Sequence, residues 1–265
     1  MSDLVTISIE NSIADIRLNR PDKYNALSPE MFDAVVNAGK SIAANRSVRA
    51  VVLSGEGKGF CAGLDFETFT QVKFSGKNVL EEKTDGTYPN LFQKAAYVWK
   101  QLPIPVIAAL HGSAFGGGMQ IALGADIRLA SPDVRLSIME VKWGLVPDMT
   151  ASQTLRDLVR LDVAKELIFT GRIINAEEAL QLGLITRICK DPLAEAFKMA
   201  KEIAQKSPDA ITAGKRLLES TWHGNSEAGF KLEEELQKSL LGSPNQVEAM
   251  RANFEKCTPN FQDPE

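Results

Sequence analysis

The strongest constraint in this chain is the run His111-Gly112-Ser113-Ala114-Phe115-Gly116-Gly117-Gly118-Met119-Gln120. It follows Pro105-Val-Ile-Ala-Ala-Leu110, which reads as a buried strand bounded by Pro103 and Gly112. It leads into Met119-Gln120-Ile121-Ala122-Leu123, which reads as a short apolar helix. Three successive glycines at a strand-to-helix turn let the backbone approach another group closely, because no Cβ intervenes. The free N–H groups of a helix's first turn would then point at that group, and their dipoles favour negative charge. The other reading of such a turn is that the glycines only permit tight packing of helix on strand.

A second element upstream favours the anion hole. Residues 51–54 read as a strand and run into Gly55-Glu56-Gly57-Lys58-Gly59-Phe60-Cys61-Ala62-Gly63-Leu64-Asp65. A strand entering a glycine-spaced loop can again turn an N–H inward. Two such turns after neighbouring strands can hold one carbonyl oxygen between two donors, as an oxyanion hole requires.

These stretches resemble the crotonase superfamily, the enoyl-CoA hydratase/isomerase family. The matching segments are Asn19-Arg20-Pro21-Asp22-Lys23-Tyr24-Asn25-Ala26-Leu27, Phe60-Cys61-Ala62-Gly63-Leu64-Asp65 and the run from His111 to Gln120. Further on come Glu140-Val-Lys-Trp-Gly-Leu145, Phe169-Thr-Gly-Arg172 and Glu178-Ala-Leu-Gln-Leu-Gly-Leu-Ile185. Six motifs in one order and spacing cover nearly all of the chain. The resemblance implies an α/β fold, a crotonase-like spiral of ββα units, with a C-terminal helical region that assembles trimers, often paired into hexamers. It also implies a CoA thioester as substrate, with CoA entering as part of that substrate and no separate cofactor.

Elements read from the residues agree with that implication. Residues 4–9 and 13–18 alternate apolar with polar, as half-buried strands do, around a turn at Glu10-Asn11-Ser12. Ser28-Pro29-Glu30 reads as an N-cap with proline at the first helical position, opening a helix to about Ala44. Strands and helices alternate to about residue 140, a mixed α/β pattern. After Ile188 helical patterning takes over in 192–206, 208–222, 227–240 and 246–256. The expected division is a ββα core over 1–190 bearing the site, and a helical region over 191–265. Residues 66–89 are long for a connection and read either as a partly helical flap over the acyl site or as a surface loop.

Composition narrows the function classes. The hydrophobic share of 44% and charged share of 24% are those of a soluble globular protein, and 265 residues can bury a substantial core. A net charge of −4 gives no general footprint for nucleic acid. Cys61, Cys189 and Cys257 lack metal-ligand spacing and are odd in number, which favours a reducing compartment. No apolar run approaches the roughly 20 residues of a membrane span, and Asp3 in a polar start argues against a signal peptide. The expectation is a cytoplasmic homotrimer or dimer of trimers, with no nucleic acid, membrane or metal partner. His111 and His223 are far apart in sequence, and neither a serine-hydrolase elbow nor a dinucleotide or Walker glycine pattern is present. His111 reads as a packed residue at a strand end.

The resemblance then assigns roles by position. The oxyanion donors fall on the N–H groups of Leu64 and Gly117. Hydratases of the family carry two glutamates, at the positions of Gln120 and Glu140 here. A glutamine can orient a water but cannot take up a proton at neutral pH, so the two-carboxylate hydration mechanism is impaired. Moving a double bond needs only one carboxylate that removes a proton at one carbon and returns it at another, and Glu140 stands where family isomerases do this. Asp148, eight residues on, matches the aspartate of the family's dienoyl-CoA isomerases. Alternatively, it caps a helix beginning near Met149. Gln120 reads either as a hydrogen-bond partner orienting Glu140 or as a polar residue facing the CoA channel. The CoA and acyl portions fall to Lys23, Tyr24, Ala26, Ala62, Gly63, Gly116 and Trp143, with Trp143 either walling the acyl pocket or simply packing. Asp65 belongs to the same binding loop and, like Asp126, reads as loop-fixing. Lys256 lies in a tail motif whose basic residues can reach a neighbour's CoA, although the arginine usual there is Cys257.

Overall fold

Alternation along the strands decides how this molecule is layered. The computed structural model describes residues 4–67 and 88–264. Its strands are β1 (Val5–Glu10), β2 (Ile13–Leu18), β3 (Ala50–Gly55), β4 (Val106–Leu110), β5 (Ser113–Phe115), β6 (Ile127–Ala130), β7 (Arg135–Ser137) and β8 (Arg187–Ile188). Its α-helices are α1 (Pro29–Ala43), α2 (Leu91–Gln101), α3 (Gly117–Leu123), α4 (Ala151–Thr154), α5 (Leu161–Thr170) and α6 (Ala176–Gln181). Four more follow: α7 (Pro192–Ala204), α8 (Pro208–Thr221), α9 (Ser226–Leu240) and α10 (Pro244–Glu255). The main sheet has the order β1-β2-β3-β4-β6-β8; β1 runs antiparallel to β2, and the remaining neighbours are parallel.

Because side chains alternate across a strand, β3 and β4 feed two separate cores. Val51, Leu53, Val106, Ala108 and Leu110 enter one; Ala50, Val52, Ile107 and Ala109 enter the other. On the larger side lie α1 and α2, whose Phe32 and Phe92 meet edge to face at 4.7 Å. Each fully buried apolar side chain of this kind contributes roughly 1.5–3 kcal/mol. The opposite face is covered by α7, which brings Ala196 and Ala200 against the sheet. These alanines lie one turn apart, Leu193, Phe197 and Ile203 pack beside them, and α7 is thus a layer of the core.

The spiral is visible in the short extended pieces that follow each long strand. Leu27 after β2 bridges Leu64 after β3; Cys61 bridges Ala114 of β5; β5 pairs with β7; and Leu136 of β7 bridges Ile174. These pieces form a second wall, and strand, short strand and helix repeat in successive turns. α1 starts as its sequence indicates, with the Ser28 hydroxyl accepting from the Met31 N–H at 3.3 Å and Pro29 at its first position. α7, α8, α9 and α10 start at Asp191, Ser207, Asn225 and Ser243, each accepting a hydrogen bond from its own helix's first turn. The segment expected to form a flap lies, apart from its ends, outside the described residues. No helix among the described residues is long and apolar enough to cross a membrane.

Candidate active site

The glycine run opens α3 two residues earlier than the apolar pattern indicates, with Gly116 at its N-cap and Gly117 as its first residue. Gly116 has φ 51° and ψ −122°, a backbone that L-residues avoid, and a Cβ there would stand 3.4 Å from Glu140 Oε1. Gly118 has a different reason to be small, since its Cβ would fall 2.4 Å from the Cys61 carbonyl oxygen. Gly118 therefore bears out the packing reading of this run, while Gly116 is required by its backbone.

The loop carrying Leu64 runs between two neighbours. On one side the Leu27 N–H donates to the Gly63 carbonyl at 2.7 Å and the Asp65 N–H donates to the Leu27 carbonyl at 3.0 Å. In a parallel bridge of this register, the Leu64 N–H faces away from Leu27. A Cβ built on Gly63 would lie 2.6 Å from the Phe115 carbonyl oxygen and 3.7 Å from the Gly117 nitrogen, so this loop and the start of α3 are in contact. Among the described residues, neither the Leu64 N–H nor the Gly117 N–H has a backbone acceptor. Gly117 is at the helix start, where an N–H has no partner within the helix.

Glu140 begins a short 3-10 turn, Glu140–Trp143, closed by Gly144 in the left-handed region. Its Oε1 accepts from Gln120 Nε2 at 2.6 Å, whereas its Oε2 is buried and has no partner. Gln120 is itself buried, and its carbonyl oxygen accepts from the Met149 N–H at 2.9 Å and the Ala151 N–H at 3.1 Å. Those two donors fix which end of the amide is oxygen, so the NH2 must face Glu140. Of the two sequence readings of Gln120, the structure supports the orienting one. Burial pushes the Glu140 carboxyl above its usual range; the bonds from its own N–H and from Gln120 oppose this, and the nearby Asp148 charge adds to it.

Asp148 does not cap a helix. α4 begins at Ala151, its N-cap position is Thr150, and no side chain caps it. Thr150 has φ 75°, an uncommon conformation for a β-branched residue, which turns both flanking N–H groups onto Gln120. The Asp148 side chain is open to water yet hemmed in by surrounding protein, and that partial desolvation raises its pKa against the opposing bond from its own N–H. Glu140 and Asp148 thus sit near each other, both with raised pKa values and neither in an ion pair among the described residues.

The remaining expected site residues divide into scaffold and rim. Asp65 is buried and tied to Arg20 at 2.7 Å, as a loop-fixing residue would be. Arg20 also donates to the Ala26 carbonyl at 3.1 Å, and the Ala62 N–H donates to the Tyr24 carbonyl at 2.9 Å. Asn25, which the sequence reading passed over, is fully buried, and its Nδ2 lies 2.9–3.1 Å from the carbonyls of Glu56, Gly59 and Phe60. A small amide just before the apolar pair Ala26-Leu27 was its one sequence signal. Tyr24 is exposed, and Lys23 is an exposed residue paired with Glu67 at 3.1 Å. Trp143 is exposed and stacks on Phe66 at 4.1 Å. Lys256 ends α10, which packs on α8 rather than on the elements of the site. Cys61 lies near the glycine loops, but burial pushes its thiol up to about 12, which leaves it unreactive at neutral pH. His111 is at a strand end, its ring nitrogen 3.0 Å from the Gly57 carbonyl. Asp126 accepts from the Val106 N–H and from Lys215, both at 2.7 Å. Among the described residues no group of three or more His, Cys, Asp or Glu could hold a metal ion.

The family model of enoyl-CoA hydratase/isomerase matches residues 8–264. Enoyl-CoA hydratase EchA19 of Mycobacterium tuberculosis is 33% identical over 249 residues, covering 93% of this chain and 92% of its own. The crystal structure of enoyl-CoA hydratase from Bacillus anthracis superimposes with a TM-score of 0.87 at 29% identity, covering 97% of this chain and 98% of that one. That from Mycobacterium smegmatis gives 0.84 at 29% identity, with the same coverage.

Proposed function

The chain belongs to the enoyl-CoA hydratase/isomerase family, and from that premise we propose that it moves a double bond along an enoyl- or dienoyl-CoA. One observation carries the choice of reaction. Glu140 keeps one buried oxygen without a partner, while the residue beside it is an amide whose carbonyl is already occupied by two N–H groups.

The thioester carbonyl accepts from the N–H groups of Leu64 and Gly117, and the negative charge formed as the α-proton leaves is stabilised there. Glu140 Oε2 takes that proton. With a 3-enoyl substrate the same carboxyl returns it at C4, which leaves a conjugated 2-enoyl thioester and an unchanged enzyme. With a 3,5-diene, protonated Asp148 delivers a proton at C6 and gives the 2,4-diene. Glu140 then holds the proton that Asp148 has lost, and the two reset through solvent on the open Asp148 side. Burial raises both carboxyls above their usual range, which makes each carboxylate a better proton acceptor than an exposed one.

Lys23, Tyr24, Ala26, Ala62 and Gly63 line the CoA side in this reading, Gly116 leaves room for the acyl carbonyl, and exposed Trp143 walls the acyl chain. Phe230 and Phe254 are exposed on α9 and α10, which supports a homotrimer or dimer of trimers, with Lys256 near a neighbour's CoA. The three free cysteines support a cytoplasmic setting.

Hydration is the second reading, favoured by the names of the relatives and by Asp148 as a stand-in for the missing second acid. Rates with a 3-enoyl-CoA, a 3,5-dienoyl-CoA and a 2-trans-enoyl-CoA separate the two. Isomerisation is expected to outrun hydration, and Asp148→Asn is expected to slow the diene most. Hydration of the 2-enoyl substrate at an equal or higher rate would reverse the order.

A further inference from the structure

At the far end of α3 from Glu140 lies a cavity of about 570 Å³ that the reaction above does not use. Its walls come from the end of α2, the turn from α3 into β6, the 3-10 turn Leu155–Asp157 and the inner face of α8. Ile127, Leu158, Leu218 and Trp222 supply apolar surface. The volume is within the range of small-molecule sites, and charged side chains stand among the apolar ones in its wall.

The charges in this wall are almost all answered by one another. Lys215 meets Asp126 at 2.7 Å, Lys100 meets Asp157 at 3.2 Å and Glu219 at 2.9 Å, and His223 meets Asp157 at 2.5 Å. Arg128 is the exception. It is 4% exposed, and its Nε and Nη1 donate to the carbonyls of Leu184 and Ala125 at 2.7 and 2.5 Å. Its Nη2 has no acceptor among the described residues, and no carboxylate forms an ion pair with it. Burial brings this guanidinium down to about 10, against the pull of the Asp126 charge, so it remains a cation in a poor solvent for cations.

Gly214 gives a second, independent sign that the space is kept open. It lies inside α8 and lines the cavity, and a Cβ built on it would meet no atom within 4 Å. A helix-interior glycine costs stability relative to alanine. Gly214 is exposed, no packing or backbone requirement at this position calls for glycine, and a side chain here would narrow the cavity.

We propose that this cavity is a binding site for a small organic monocarboxylate, its charge held by Arg128 and its apolar body lying between Leu218, Trp222 and the open face at Gly214. The proposal stands apart from the reaction assigned to Glu140.

Calorimetric titration of the intact protein with sodium octanoate tests it, alongside octan-1-ol, which keeps the body and lacks the charge. Wild type is expected to bind one octanoate per chain, and octanol at least about tenfold more weakly. Gly214→Leu fills the space with a better helix former; it is expected to stay folded, keep its turnover of enoyl-CoA and lose octanoate binding by about tenfold or more. Arg128→Lys is expected to weaken octanoate and leave octanol unchanged. Absent binding to wild type, undiminished binding to Gly214→Leu, or equal affinity for octanol would each overturn the proposal. So would loss of octanoate binding in Glu140→Gln with none in Gly214→Leu, because the ligand would then occupy the reaction cleft.

Discussion

Two neighbouring regions treat their acids in opposite ways. In the corner built by Arg20, Asn25 and Asp65, the buried carboxylate has a cation at 2.7 Å, and the buried amide faces three carbonyls. In the cleft built by Gln120, Glu140 and Asp148, the acids have no cation partner among the described residues, and one buried oxygen has no partner at all. Asp65 follows Leu64 directly, so the satisfied corner fixes the loop on which the proposed reaction would draw. Asp65, answered by a cation, is held in place, whereas Glu140, answered only by an amide, is the acid to which the proposed reaction assigns the proton.

That contrast can be broken most sharply at Glu140. Glu140→Gln is expected to lower kcat for 3-enoyl-CoA isomerisation by about 10³-fold, the scale of a lost general base. Stability should not fall, because the change removes a buried charge. Leu64→Pro removes the N–H proposed as one oxyanion donor while leaving the bonds between Leu27 and both Gly63 and Asp65 available; a loss of about 10²-fold or more in kcat is expected, read in the same assay. Gly117 is a poorer place for this experiment, since a Cβ there would lie 2.7 Å from Met149 Sδ and 2.9 Å from Leu27 Cδ1, and a bulky residue would disturb packing as well.

The scaffold side gives a smaller effect of another kind. Asp65→Asn is expected to cost about 1.5–3 kcal/mol in urea unfolding, as for a hydrogen bond between charged groups. Asp148→Asn should change stability by less than about 0.5 kcal/mol. If Asp148→Asn destabilised the protein as much as Asp65→Asn, the division between answered and unanswered acids would fail.

The smallest effect is a pH dependence. A carboxyl whose folded pKa is raised binds its proton more tightly in the native state, so its contribution to stability is full at low pH and is lost as pH rises through the folded pKa. Glu140→Gln should therefore gain most over wild type near neutral pH. The gain should shrink as pH falls towards about 4, where the unfolded carboxyl also protonates. Urea midpoints at the two pH values check the sign.

Much of this arrangement was legible in the chain itself. The glycine run and the loop at Leu64 are local patterns, Glu140 was placed by the family resemblance, and the cap Ser28 stands where its helix begins. Less legible was whatever depends on which segments meet. That Gln120 spends its carbonyl on Met149 and Ala151 follows from a left-handed Thr150, which no residue type announces. The alternative reading of Asp148 as a cap rested on Asp standing before a polar run; the helix starts later because that same backbone is turned towards Gln120. α7 joins the core through Ala196 and Ala200 with Leu193, Phe197 and Ile203 packed beside them, a pattern that did not tell it from the helices that follow.

The structure of the protein with a bound, unreactive acyl-CoA is the most direct test of the central assignment. The thioester oxygen should lie about 2.7–3.1 Å from both the Leu64 and Gly117 nitrogens, with Glu140 Oε2 facing the α-carbon. A carbonyl held by other donors, or an α-carbon out of reach of Glu140, would contradict it.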